Sequence, residues 1–257
     1  MTKLFVVFAA VSLVACVPLN AAFQETEKVS RTVALDPGGT LRLRSFSGRV
    51  NITAGESNEI VIDAVRRAPR SRLDHIRLDV YRDGSTVYVD ANKRDSSWWV
   101  RNNNVVETDF DIAVPRRTNL NIQVFSASVT IDGVEGRYNI GGFSSRIKLV
   151  DAVGSVRAHT FSGPIDIQTK SWLDDQDVDV DTFSGNISLR LPDTASGRVT
   201  FNSFSGHLNS DIPLTLTTGN RRSLKAEFGL KGERDASTRN SGNLRFKTFS
   251  GSVRIDR

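Results

Sequence analysis

The chain has 257 residues, 39% of them apolar, a formal net charge of +5 and one cysteine, Cys16. That length can bury a substantial core without disulfide staples, and a single thiol leaves no disulfide to form. The charge is small for the length and no reading motif accompanies it, so no nucleic-acid partner is expected.

Residues 1–15 carry Lys3 and then the apolar run Leu4 to Ala15, the pattern of a secretory signal peptide and too short to span a bilayer. Leu13-Val14-Ala15-Cys16 resembles a bacterial lipobox, which would make Cys16 the lipidated N-terminus of the mature chain. The competing reading is ordinary cleavage near Ala21 or Ala22. With Val17 after the cysteine, the lipobox resemblance points away from inner-membrane retention. The expected layout is a signal segment over 1–22, a polar lead-in over 23–31 and one β domain over 32–257. Within that domain 32–118 is less regular and 119–257 is repetitive.

In the irregular part, Asp36-Pro37-Gly38-Gly39 reads as a turn and Ile60-Val61-Ile62 as a short strand. Arg66 to Arg72 reads as a basic loop. Ile76–Val80 and Thr86–Val89 alternate around Asp83-Gly84, which predicts a hairpin. Trp98 and Trp99 are adjacent in a polar loop and point to opposite sides of an extended segment, so they are candidate ligand contacts as well as anchors.

The rest of the chain is organised by one phrase. Phe125-Ser126-Ala127, Phe143-Ser144-Ser145, Phe161-Ser162-Gly163 and Phe183-Ser184-Gly185 recur at steps of 18, 18 and 22 residues. Further copies start at Phe46, Phe204 and Phe249, and the long gap between the last two reads as two periods with an eroded copy. Apolar residues fall five and three positions before each Phe, as in Val156 and Ala158, and, Ser210 apart, four and six after it, as in Ile165 and Ile167. A strand cannot change the parity of its buried face without a bend. The bend is expected at Gly48, Gly163, Gly185, Gly206 and Gly251, where glycine tolerates positive φ. Two short strands and two turns bury their apolar face only against neighbouring copies. The fold class is therefore an all-β, single-chain β-solenoid (parallel β-helix-like) with coils of about 18–22 residues.

The Phe itself admits two orientations. Keeping step with the second strand it forms a core ladder; continuing the first strand it forms an exposed row. The core ladder is expected, because a contiguous exposed apolar patch is uncommon on soluble proteins.

Catalytic signatures are absent from the sequence. His75, His159 and His207 lack metal-ligand spacing, and no nucleophile elbow, Walker loop or H-E-x-x-H helix occurs. Asp174 to Asp181 is the one acidic cluster; as a strand it turns Val178 and Val180 inward and its Asp row to solvent. No cofactor and no metal is expected.

Val114-Pro115-Arg116 followed by serial Ser-Gly-x-Ile-x-Ile coils resembles a bacterial domain family of unknown function labelled putative adhesin. The resemblance implies a β-solenoid in the envelope or outside the cell with no established activity. The expected function is a non-enzymatic, adhesin-like binding or scaffolding module at the outer membrane, cell surface or periplasm. Its partner would be a glycan or an envelope protein, with membrane attachment if Cys16 is lipidated. The alternative is a periplasmic accessory in envelope-stress signalling; a carbohydrate-active β-helix enzyme would need clustered carboxylates on one face.

Overall fold

The computed structural model describes residues 24–94, 105–173, 175–220, 222–229 and 242–257. Cys16, Trp98 and Trp99 lie outside them. The chain opens with β1 (Gln24–Ala34), β2 (Thr40–Gly55), β3 (Glu59–Pro69), the short helix α1 (Arg70–His75) and a hairpin of β4 (Ile76–Asp83) and β5 (Thr86–Arg94). Next come β6 (Glu107–Pro115) and the long β7 (Asn119–Asp132). Short pairs follow: β8 (Tyr138–Ser144) and β9 (Ile147–Ala152), β10 (Val156–Ser162) and β11 (Ile165–Thr169), β12 (Asp177–Thr182) and β13 (Ile187–Arg190), β14 (Gly197–Ser203) and β15 (Leu208–Ser210). A second hairpin, β16 (Leu214–Gly219) and β17 (Ser223–Phe228), precedes β18 (Gly242–Thr248) and β19 (Val253–Asp256).

Each coil is a first strand, a corner and a second strand; β2 and β7 run through the corner and supply both. Coils pair in parallel with equivalent residues in register, so Val156 lies beside Tyr138 on one side and Val178 on the other. Ile165 lies likewise between Ile147 and Ile187. The β-solenoid read from the repeat is the fold. Inward residues from both strands meet in one continuous core, including Leu41, Ile52, Ile122, Ile165 and Phe246. Each fully buried aliphatic or Phe side chain contributes about 1.5–3 kcal/mol by leaving water.

The order of coils departs from the order of the chain at both ends. β18 pairs with β12 on one side and β14 on the other, and β19 sits likewise between β13 and β15. The last copy of the phrase is thus an inner coil, not the closing one. Among the described residues between Phe204 and Phe249 no eroded copy stands: β16 and β17 form an antiparallel hairpin, and β17 covers the outer edge of β14. At the other end β2 is flanked by β7 and, on its outer side, by β5 and β6. β4, β3 and β1 then add antiparallel strands. Sequence spacing counts coils; which edges meet is a matter of pairing.

The basic stretch 66–72 is not a loop. Its first part ends β3 and its second part forms α1. Arg66 is buried and donates to the Glu27 carboxylate and the Ile76 carbonyl, joining β1, β3 and β4. Arg67 donates to Asp109 of β6 at 2.8 Å. These arginines fasten the cap together and do not form a free cationic patch. The polar residues from Gln24 enter the fold as β1, paired along its length with β3. The expected hairpin turn is present, with Gly84 at φ +57°.

Candidate functional site

In five of the seven copies the corner that follows the first strand begins with a buried hydroxyl. Thr182 Oγ1 accepts from the Gly185 N–H at 2.9 Å, Ser203 Oγ from Gly206 at 2.6 Å, and Thr248 Oγ1 from Gly251 at 2.7 Å. Because this hydroxyl faces inward, the next residue, the Phe, faces out. The parity change takes place after the Phe, and the expected core ladder is corrected to an exposed one. A signal for this stands in the sequence: Ser45, Thr160, Thr182, Ser203 and Thr248 all precede their Phe. A hydroxyl at an otherwise apolar inward position marks a capped corner.

The corner glycines serve two purposes. Gly48 and Gly163 take positive φ, +112° and +125°. At Gly185, Gly206 and Gly251 the constraint is the neighbouring coil: a Cβ on Gly185 would overlap the Gly163 carbonyl oxygen, and one on Gly251 the Gly185 oxygen. Ala127 and Ser145 manage without either; Ala127 sits within the unbroken β7, and its N–H donates to Ser145 Oγ at 3.3 Å.

Phe46, Phe125, Phe143, Phe161, Phe183, Phe249 and Phe204, in that spatial order, form a row of seven rings exposed by 38–55%. Neighbouring centroids are 4.6–4.9 Å apart and the planes lie within 18° of parallel. Stacking covers the ring faces, contributing about 0.5–1.5 kcal/mol per pair, and leaves the edges to solvent. At an inter-coil step of about 4.8 Å the row is roughly 29 Å long. Its Phe204 end is covered by Arg222, whose guanidinium carbon lies 4.6 Å from the ring centroid.

Beside the row runs a groove of about 700 Å³ spanning the coils of Phe143, Phe161, Phe183, Phe249 and Phe204. Ring edges form one wall. The largely buried Thr160, Thr182, Ser203 and Thr248 form the floor, and His159, Asp181, Lys247 and Asn202 the other wall. Lys247 pairs with Asp181 at 3.7 Å. Beside Phe143 the place of a side chain on Gly141 is taken by Gln123 and His159 of the flanking coils, and that on Gly142 by Ser145.

The acidic stretch behaves as the alternation requires. Val178 and Val180 are buried, while Asp179 lies 3.9 Å from Arg157 and 3.6 Å from Arg245 on the flanking coils. Cations of neighbouring coils thus pair with Asp179 and Asp181, while Asp177 accepts from the Asn243 amide. His159 joins the groove, His207 is exposed beyond the corner, and His75 ends α1. Tyr138 is buried and donates to the Val134 carbonyl; burial pushes its hydroxyl pKa well up. Burial also pushes the Asp109 carboxyl up, but donation from the Arg67 guanidinium and the Arg49 N–H outweighs it and holds the group below the usual carboxylate range. Neither group touches the groove.

Residues 116–243 match the family model described as Toastrack DUF4097, a family of unknown function. Among solved structures, a "putative cell adhesion protein" from Clostridium sporogenes superposes with a TM-score of 0.53 at 11% identity, covering 90% of this chain and 99% of that one. A "putative adhesin" from Bacteroides fragilis gives a TM-score of 0.39 at 10% identity, covering 89% and 97%. A "putative lipid binding protein" from Parabacteroides distasonis gives 0.27 at 10% identity, covering 90% and 97%. No curated protein matches the chain. The likeness to the Clostridium protein shows a shared fold, and residues 116–243 of this chain are similar to the Toastrack DUF4097 domain.

Proposed function

We propose that the chain is a non-enzymatic, exported cell-envelope protein, an adhesin-like binding module whose contact surface is the phenylalanine row. One observation carries this reading: seven rings held at a constant spacing with their edges in solvent. A soluble domain rarely leaves such a continuous apolar line uncovered unless something docks on it. The row is also rigid, because every ring is fixed by its neighbours, so docking orders few side chains.

The geometry favours an apolar partner over a sugar stacked on the rings. Stacking on a sugar needs an open aromatic face, and here the inner faces are occupied by one another. In this reading the chain is anchored through a lipidated Cys16 after export, with the domain facing the cell surface or the periplasm.

The test is co-sedimentation of the purified chain with an envelope fraction of the producing bacterium, comparing wild type with Phe125→Ser/Phe143→Ser/Phe161→Ser. The exposed substitutions are expected to abolish binding while a cooperative thermal transition is kept. Unchanged binding in the folded variant overturns the row as contact surface. Protease shaving of intact cells, with Cys16→Ser as comparison, reports on the anchor and on which side of the envelope the domain faces.

A further inference from the structure

We infer that the groove beside Phe143, Phe161, Phe183, Phe249 and Phe204 is a site for a single long acyl chain bearing one anionic head group. The inference rests on the reading of the phenylalanine row as a contact surface and names the chemistry that one part of it takes.

The shape of the groove is linear. It crosses five coils, so at about 4.8 Å per step it is roughly 20 Å long, and its volume of about 700 Å³ lies within the range of small-ligand sites. One wall is a line of ring edges with no polar atom. The floor hydroxyls of Thr182, Ser203 and Thr248 are occupied by the corner N–H groups of Gly185, Gly206 and Gly251. Thr160 Oγ1 is likewise engaged, with the Phe143 and Ser162 carbonyls. The groove therefore offers an apolar chain contact without leaving a floor hydroxyl unsatisfied. A glycan, which needs a hydrogen-bond partner for each of its own hydroxyls, finds them on the wall of His159, Asp181, Asn202 and Lys247 and none on the ring-edge wall.

The two ends differ in charge. At the Gly142–Phe143 end the lining carries none. At the other end stand Lys247 and Arg222. Lys247 is compensated by Asp181, but among the described residues no carboxylate lies within ion-pair distance of the Arg222 guanidinium, which rests on the Phe204 ring. A linear amphiphile matches this polarity, with its tail toward Phe143 and its head at Arg222. A guanidinium donates two parallel hydrogen bonds to a carboxylate or phosphate oxygen pair.

The experiment is equilibrium dialysis of the full chain against radiolabelled palmitate kept monomeric, with octanoate, decanoate and dodecanoate as a length series and hexadecanol as the headless control. Expected are saturable one-to-one binding and a gain of about three- to fourfold per added methylene until the groove is full. Hexadecanol and Arg222→Glu should each weaken binding about tenfold. Phe183→Ser should weaken it too, while retaining the thermal transition.

No saturable palmitate binding overturns the inference, as does binding indifferent to Phe183→Ser and Arg222→Glu. Sedimentation with phosphatidylglycerol vesicles in the absence of palmitate binding also overturns it, in favour of a bilayer contact. If palmitate fails while envelope binding still depends on the phenylalanines, the row stands as a contact surface and the acyl site falls. If neither depends on them, both fall.

Discussion

The Phe183 ring stacks on Phe249 at 4.7 Å and an interplanar angle of 8°, and Phe249 in turn stacks on Phe204. The C-terminal copy of the repeat is thereby wedged between two copies that are consecutive in the chain. An inner coil pairs on both edges; an end coil can fray from one.

This placement makes the last residues structurally central. Deleting 242–257 exposes the inner edges of β12–β13 and β14–β15 together. It is expected to abolish the cooperative thermal transition of the C-terminal coils, not to shorten the rod by one step. Circular dichroism melts of the truncated chain check this, and a synthetic peptide of residues 242–257 added in trans should restore the lost protection in hydrogen exchange.

Glycine is required at the corners by the neighbouring coil, and at the hairpin turn of Gly84 only by its own backbone conformation. Gly185→Ala places a methyl group on the Gly163 carbonyl and is expected to destabilise by about 3 kcal/mol or more. Gly84→Ala, at φ +57° with open space around it, should cost only about 1–2 kcal/mol. Urea denaturation of the two variants separates steric contact from backbone strain.

The hydroxyl before the Phe caps a buried N–H. Thr182→Val leaves the Gly185 N–H without its acceptor and should cost about 1–3 kcal/mol, whereas Thr182→Ser keeps the bond and loses only a methyl group. Chemical denaturation of both variants measures the difference.

Phe161 and Ile165 stand four residues apart on opposite sides of the wall. Ile165→Ala is expected to cost about 2–5 kcal/mol as a core truncation. Phe161→Ala breaks two stacked contacts and should cost about 1–3 kcal/mol. A clearly larger cost for Phe161→Ala than for Ile165→Ala would contradict an outward-facing row.

Asp109 contributes to acid sensitivity. Its folded pKa lies below the ordinary value of 3.8, so its stabilising contribution is complete above that value and is lost as pH falls through the folded pKa. Asp109→Asn should flatten that part of the acid limb and leave the neutral and alkaline limbs unchanged in slope. Thermal melts between about pH 5 and pH 2 test it.

Periodicity alone disclosed the solenoid, the corner and the inward positions, because side-chain alternation and coil length are written locally into each copy. The buried hydroxyl before five of the phenylalanines was equally legible, yet its meaning depends on knowing which backbone group it bonds. An inward residue at that position turns the ring to the solvent, as it does also at Phe125, which follows the buried Val124. The side chains of the groove come from five coils whose order in space, with Phe249 between Phe183 and Phe204, departs from their order in the chain. Arg222 meets Phe204 through a hairpin whose place no spacing predicts.

The sequence by itself determined that this chain coils, with what period, and which residues of each strand are buried. Tertiary structure decided which coil lies beside which, since every parallel edge offers the same hydrogen-bonding pattern and only packing selects among them. It also decided that the phenylalanines form one continuous outward row, because stacking is a relation between coils and no single copy contains it.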